Sequence, residues 1–338
     1  MKKIVIAVAM IIAIMGMVLP ASVFAADAKP KYAIVFKNTG NPYGEKQLEG
    51  FKTGIEEQGF EAILRSPDLP TAEAQIQIIE QLIAQKVVSI CIVGNDYDAL
   101  QPVLKKATAQ GIKVFSLDSS VNPASRLTHV NQADSEKIGQ TLIKAAYDMA
   151  GGSGEIAILS ATSQASNQNI WIDFMKKELA KPEYKNLKLV KVAYGDDLRD
   201  KSVSETEGLL RSYPNLKVII APTTVGIAAA GKVLTDKRLK GKVALTGLGL
   251  PSEMAEYIEN GVCGYMFLWN PIDVGYLGAY TATALVTGKI KGAVGDKFSA
   301  GRLGNYTITK APDGGTEVLL GPPFKFDKSN IAMWKKVY

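Results

Sequence analysis

Two hydrophobic periods alternate along this chain, and the alternation runs through twice. Short apolar runs at 32–36, 87–93 and 114–117 have the length and density of buried strands. Between them the spacing turns helical. Leu48, Phe51 and Ile55 stand at i, i+3 and i+7, and Ile76, Ile79 and Ile83 repeat that step. Asn41 followed by Pro42 forms an N-cap and first turn for the helix that carries Leu48. A second set of runs occupies 155–159, 187–193, 218–221 and 243–246. Strand and helix in regular alternation specify an α/β fold with a doubly wound parallel sheet. A chain of 338 residues exceeds one ordinary core, so two such units are expected.

The ends and the rare residues narrow the class. Met1-Lys2-Lys3, an apolar run from Ile4 to Leu19, Pro20 and the small-residue site Val23-Phe24-Ala25 read as a secretory signal peptide over 1–25. A membrane-spanning helix wants about 20 apolar residues, and this run is shorter and stops at a proline. The protein is therefore expected to be exported, to the periplasm or the extracellular side of the envelope. Two cysteines, Cys91 and Cys263, make no disulfide scaffold and read as buried hydrophobes. His129 is the one histidine, which excludes a two-histidine metal motif, so neither metal nor cofactor is expected.

The formal charge of +6 falls once Lys2 and Lys3 are removed, and no block of like charge marks a nucleic-acid surface. The basic stretch from Lys237 to Lys242 sits where a helix should end, the usual place for cations. Gly151-Gly152-Ser153-Gly154 lies between helix and strand, the wrong order for a phosphate loop. Gly247-Leu248-Gly249 follows a strand, but Pro251 and Ser252 break the dinucleotide pattern.

In open α/β sheets, ligands bind beyond the carboxyl ends of the strands. The residues there are Lys37, Asn41 and Tyr43, then Asn95, then Asp118 in the first half. Ser160 to Gln168, Pro222 to Thr224 and Gly247 hold that place in the second half, with Trp269, Asn270 and Asp273 later in the chain. Amides, hydroxyls, a lysine, carboxylates and aromatics suit a neutral polyol, with directed hydrogen bonds and rings to cover apolar faces. A lone Asp118 with no paired acid and no activated nucleophile argues against an enzyme.

The opening Tyr32-Ala33-Ile34-Val35-Phe36-Lys37, the stretch Gly111-Ile112-Lys113-Val114 through Asp118-Ser119, and the late Trp269 resemble the type I periplasmic binding proteins. Within that family the chain is similar to the LsrB-type autoinducer-2 receptors and to the rhamnose-binding proteins. The resemblance implies two Rossmann-like lobes with parallel sheets joined by a three-stranded hinge, the ligand lying in the cleft between them. It places crossings near Val130, Tyr265 and Phe298. The first lobe would be 26–130 plus 266–297, and the second 131–265 plus 298–338. It also implies ligand contacts from Lys37, Asp118, Gln168 and Pro222. Asn167 stands where LsrB-type receptors have aspartate, and Thr224 where they have alanine. Asn41, Tyr43, Asn95, Trp269 and Asp273 complete the candidates.

The function this implies is capture of a small polyhydroxylated ligand for a membrane permease of an ABC importer, by a monomer that binds no nucleic acid. The preferred ligand is the cyclic, boron-free form of autoinducer-2, taken up as a quorum signal. The alternative is rhamnose or a related monosaccharide. An aspartate at position 167 would return a charged acceptor and is expected to keep or tighten autoinducer-2 binding.

Overall fold

The structure is a computed structural model that describes residues 29–338; the signal peptide expected over 1–25 lies outside the described residues. The first half forms β1 (Lys31–Val35), α1 (Pro42–Glu56), β2 (Glu61–Arg65), α2 (Ala72–Ala84), β3 (Ser89–Ile92), α3 (Gln101–Ala109), β4 (Lys113–Leu117) and β5 (His129–Ala133). The second half forms α4 (Ser135–Ala150), β6 (Gly154–Ser160), α5 (Ser166–Leu179), β7 (Leu187–Tyr194), α6 (Arg199–Ser212), β8 (Leu216–Ala221), α7 (Thr224–Asp236), β9 (Ala244–Gly247) and α8 (Pro251–Glu259). The remainder adds β10 (Met266–Leu268), α9 (Pro271–Val286), β11 (Lys297–Ser299), β12 (Asn305–Thr307), β13 (Thr309–Lys310), β14 (Thr316–Gly321), β15 (Phe324–Phe326) and α10 (Ile331–Trp334).

Two sheets result. The first runs β13-β14-β5-β4-β3-β1-β2 and the second β7-β6-β8-β9. Every pairing in them is parallel except β13 with β14. Parallel strands covered by helices on both faces are largely apolar, and β3, with every residue buried and only Ser89 polar, obeys that rule. Both cysteines lie in these cores as free thiols, Cys91 in β3 and Cys263 just before β10. In each sheet the first strand of the unit has neighbours on both sides, β1 between β2 and β3, β6 between β7 and β8. The crossovers therefore diverge there, and a crevice opens at the carboxyl ends.

The C-terminal segment departs from the expected division. The third crossing does not fall near Phe298. The β11–β12 hairpin and β14 stay with the first lobe, where β14 lies parallel to β5 with Val318 opposite Val130. Burying Val318 in that sheet keeps the chain on the first lobe until residues 322–323. Only then does β15 pair with β10 in the second lobe. The second crossing also comes later than Tyr265, after Leu268, since Phe267 still bridges to Leu248 beside β9. Assigning all of 298–338 to the second lobe is thus corrected: 297–321 pack with the first.

Helices α1 and α9 pack face to face over the first sheet, close enough that two glycines are required. A Cβ on Gly50 would stand 1.9 Å from the Ile272 carbonyl oxygen, and one on Gly275 1.9 Å from that of Gln47. This contact holds the start of α1, which sets Tyr43 in the cleft wall and Gln47 behind it against Asp118.

Candidate functional site

Between the lobes lies a cavity lined by polar groups and aromatic rings. Its walls hold Lys37, Asn41, Tyr43 and Asp118 from the first lobe and Asn167, Gln168, Pro222 and Thr224 from the second, with Trp269 at the crossing. Asn41 caps α1 by accepting from Tyr43 N at 3.1 Å and Gly44 N at 3.4 Å. That cap, with Pro42 at the first turn, fixes where Tyr43 enters the cleft.

Asp118 is the centre of the arrangement. It follows β4 in the left-handed region, φ 61°, which aspartate tolerates better than most residues. The residue is only 5% exposed, and its carboxylate accepts from three donors. Oδ2 takes the Tyr43 hydroxyl and Gln47 Nε2, the latter at 2.6 Å, while Oδ1 takes Asn167 Nδ2 at 2.7 Å. Tyr43 is oriented in turn by Trp269 Nε1 at 2.6 Å and Gln47 Nε2 at 2.9 Å, both donating to its oxygen. Burial raises the Asp118 carboxyl above its ordinary range, opposed by the Lys37 ammonium and by these donors.

Lys37 is 6% exposed, and its ammonium turns to amide oxygens. It donates to Asn167 Oδ1 at 3.1 Å and Gln168 Oε1 at 3.4 Å. Burial pushes it below the usual lysine range, while the Asp197 and Asp118 carboxylates pull it back up. One amide, that of Asn167, therefore stands between a buried cation and a buried anion.

Aromatic rings wall the rest. Trp269 meets Tyr43 edge-on at 6.5 Å and Trp171 at 5.8 Å, and Phe36, Val93, Leu248 and Leu268 add apolar surface. A site with hydrogen-bonding groups at its centre and rings at its edges holds a neutral, hydroxylated ring by its polar rim and its apolar faces together.

Two strand-end candidates do not reach the cavity. Asn95 turns behind Lys37: its Nδ2 donates to the Lys37 carbonyl at 2.8 Å, and its backbone N–H to Gln75 Oε1 at 2.9 Å. It positions Lys37 rather than facing the cleft. Asp273 lies on α9, is ion-paired with Arg302 at 2.5 Å and does not line the cavity.

Conversely, Asp197 lines the cavity, accepts the Thr223 hydroxyl and acts on Lys37 as a favourable negative charge. It follows β7 as Asp118 follows β4, again left-handed, φ 53°. Among the described residues no group of three His, Cys, Asp or Glu side chains comes together as a metal site, and no helix is long and apolar enough to cross a membrane.

The sequence profile of the periplasmic binding protein domain matches residues 32–290. The fold and the interlobe cavity agree with it: the chain belongs to the type I periplasmic binding proteins, the solute-binding receptors of ABC importers. Among solved structures it is similar to an ABC transporter solute-binding protein from Clostridium phytofermentas with bound L-rhamnose. That protein is 52% identical with a TM-score of 0.91, over 92% of this chain and 99% of that one. LsrB from Clostridium saccharobutylicum, in complex with autoinducer-2, shares the fold at 24% identity and a TM-score of 0.84, over 89% of this chain and 98% of that one. The D-apiose import binding protein of Actinobacillus succinogenes is 23% identical over 203 residues, 60% of this chain but only 64% of that protein.

Proposed function

We propose that this protein captures L-rhamnose or a closely related neutral monosaccharide outside the cytoplasm and delivers it to the permease of an ABC importer. The observation that carries this reading is the neutral bridge. Asn167 joins Lys37 to Asp118, where an LsrB-type site would present aspartate. The 52% identity to a rhamnose-bound relative supports the same choice, whereas the autoinducer-2-bound relative, at 24%, supports the fold alone. The preference for autoinducer-2 drawn from the sequence therefore gives way to the sugar.

Lys37 and Asp118 hold the sugar hydroxyls from the first lobe, and Asn167, Gln168 and the Pro222-Thr223-Thr224 turn hold them from the second. Tyr43, Trp171 and Trp269 cover its apolar faces, including the methyl group that distinguishes a deoxyhexose. Asp197 keeps Lys37 charged. Export through the segment 1–25 and return of the closed, loaded receptor to a membrane partner complete the cycle.

Calorimetry of the purified protein with L-rhamnose and with autoinducer-2 tests the reading. Tight binding of rhamnose, with autoinducer-2 failing to displace it, is expected. Tight binding of autoinducer-2 with no heat from rhamnose overturns it, and Lys37, Asp118, Gln168 and Pro222, the positions shared with LsrB-type receptors, would then carry the signal molecule instead.

A further inference from the structure

Beside the main cavity, toward the hinge, lies a second chamber of similar size. Asp118, Asn167 and Trp171 line both, so the partition includes the 2.7 Å bond between Asn167 Nδ2 and Asp118 Oδ1. The chamber draws on both lobes and on β5, the strand that leads into the first crossing.

Two buried polar atoms stand out among the residues around it. Gln132 Oε1 and Trp171 Nε1 have no hydrogen-bond partner among the described residues, although the residues are 1% and 2% exposed. Native interiors rarely leave such groups unpaired. One accepts and the other donates, and a hydroxyl group does both. The charges nearby are already spent. Arg126 Nη2 is paired with Asp313 at 2.5 Å, and Glu317 accepts from Asn131 Nδ2 at 2.9 Å. Burial keeps His129 well below its ordinary range and raises Glu317. A neutral, hydroxyl-bearing occupant suits these surroundings better than an ion.

We infer that the chamber is a second sugar subsite, and that the receptor accepts a rhamnosyl disaccharide with one ring in each cavity. The inference rests on the rhamnose reading above. The first ring binds beside the bridge between Asp118 and Asn167, which stays intact, and the glycosidic link passes alongside it into the chamber. The second ring donates to Gln132 Oε1 and accepts from Trp171 Nε1.

The test is calorimetry and competition with L-rhamnose, methyl α-L-rhamnoside and an α-L-rhamnosyl-glucose disaccharide, on wild type and Gln132→Leu. The disaccharide should bind wild type at least as tightly as rhamnose. In Gln132→Leu its affinity should fall about tenfold, the loss of one buried hydrogen bond, with rhamnose unchanged. Wild-type protein that binds rhamnose but neither binds the disaccharide nor releases rhamnose to it overturns the subsite and leaves the monosaccharide reading standing. If rhamnose and disaccharide both fail to bind, the reading and the subsite fall together.

Discussion

Asn167 donates Nδ2 to Asp118 Oδ1 at 2.7 Å while its Oδ1 accepts from Lys37 Nζ at 3.1 Å. The amide is held in one orientation by opposite charges, and it ties the second lobe to both charged groups of the first. Aspartate at this position would keep the lysine but set two carboxylate oxygens against each other at that same short separation. Like charges so placed share a proton or move apart.

For the sugar, Asn167→Asp should act against binding, whereas the expectation drawn from the sequence concerned autoinducer-2. Rhamnose binding should weaken by roughly one to two decades, as expected when a charge-assisted hydrogen bond of about 1.5–3 kcal/mol is lost. The deficit should shrink as the pH is lowered, because protonating one of the two carboxyls restores a donor. Calorimetry across pH checks this; an affinity equal to wild type at every pH refutes the bridge.

Asp118→Ala strands three donors at once, from Tyr43, Gln47 and Asn167, and removes one of the two carboxylates that favour charged Lys37. Rhamnose affinity should fall by at least one to two decades, from the same range of about 1.5–3 kcal/mol for a lost hydrogen bond to a charged group. Thermal unfolding distinguishes lost recognition from lost fold: a folded variant with undiminished affinity would remove Asp118 from the site.

Much of this site is written at strand ends, so any residue just past a recognisable strand can be found from the sequence. Lys37 after β1 and Asp118 after β4 are legible that way. Asp197 stands after β7 by the same logic, and the Gly195-Asp196-Asp197 turn was the available signal. Gln47 is harder to find, because a glutamine one turn beyond Tyr43 on α1 looks like a solvated helix position until Asp118 is brought to it. Asn95 and Asp273 mislead for the converse reason: the Lys37 carbonyl and Arg302 that occupy them are unknown before folding. The doubled α/β alternation was plain, but β12 and β13 span so few residues that no period is visible, and the chain's late stay on the first lobe was hidden with them.

The α1–α9 contact yields a prediction about stability. Gly275→Ala drives a methyl group into the Gln47 carbonyl, and backbone cannot yield as a side chain can. Stability should drop by about 1–3 kcal/mol, and rhamnose affinity should drop with it because α1 carries Tyr43 and Gln47. Gly208 in α6 is the control, since a Cβ there meets nothing within 4 Å. Gly208→Ala should raise stability by about 0.5–1 kcal/mol through helix propensity alone. Equal effects of the two substitutions in denaturant titrations would contradict the close-packing argument.

His129 supplies the last prediction, on pH. Its ring lies buried in β5, bonded through Nδ1 to Ser116 Oγ at 2.9 Å. Burial and the Arg126 cation hold it well below its usual range of about 6.5, against the opposing effect of Ser116. In the unfolded chain the ring titrates near that ordinary value. A depressed folded-state value means that His129 contributes stability above about pH 6.5, and that this is lost as the pH falls toward the folded value. Below about pH 6.5 the unfolded chain takes up a proton that the folded one refuses, giving a slope of at most about 1.4 kcal/mol per pH unit. His129→Asn keeps a polar partner for Ser116 and removes the titration. Between about pH 6.5 and pH 5, before most carboxylates protonate, the denaturation midpoint of wild type should fall more steeply than that of the variant. Superimposable pH profiles would mean that His129 gains its proton equally well in both states, and that the β5 environment is wetter than its burial indicates.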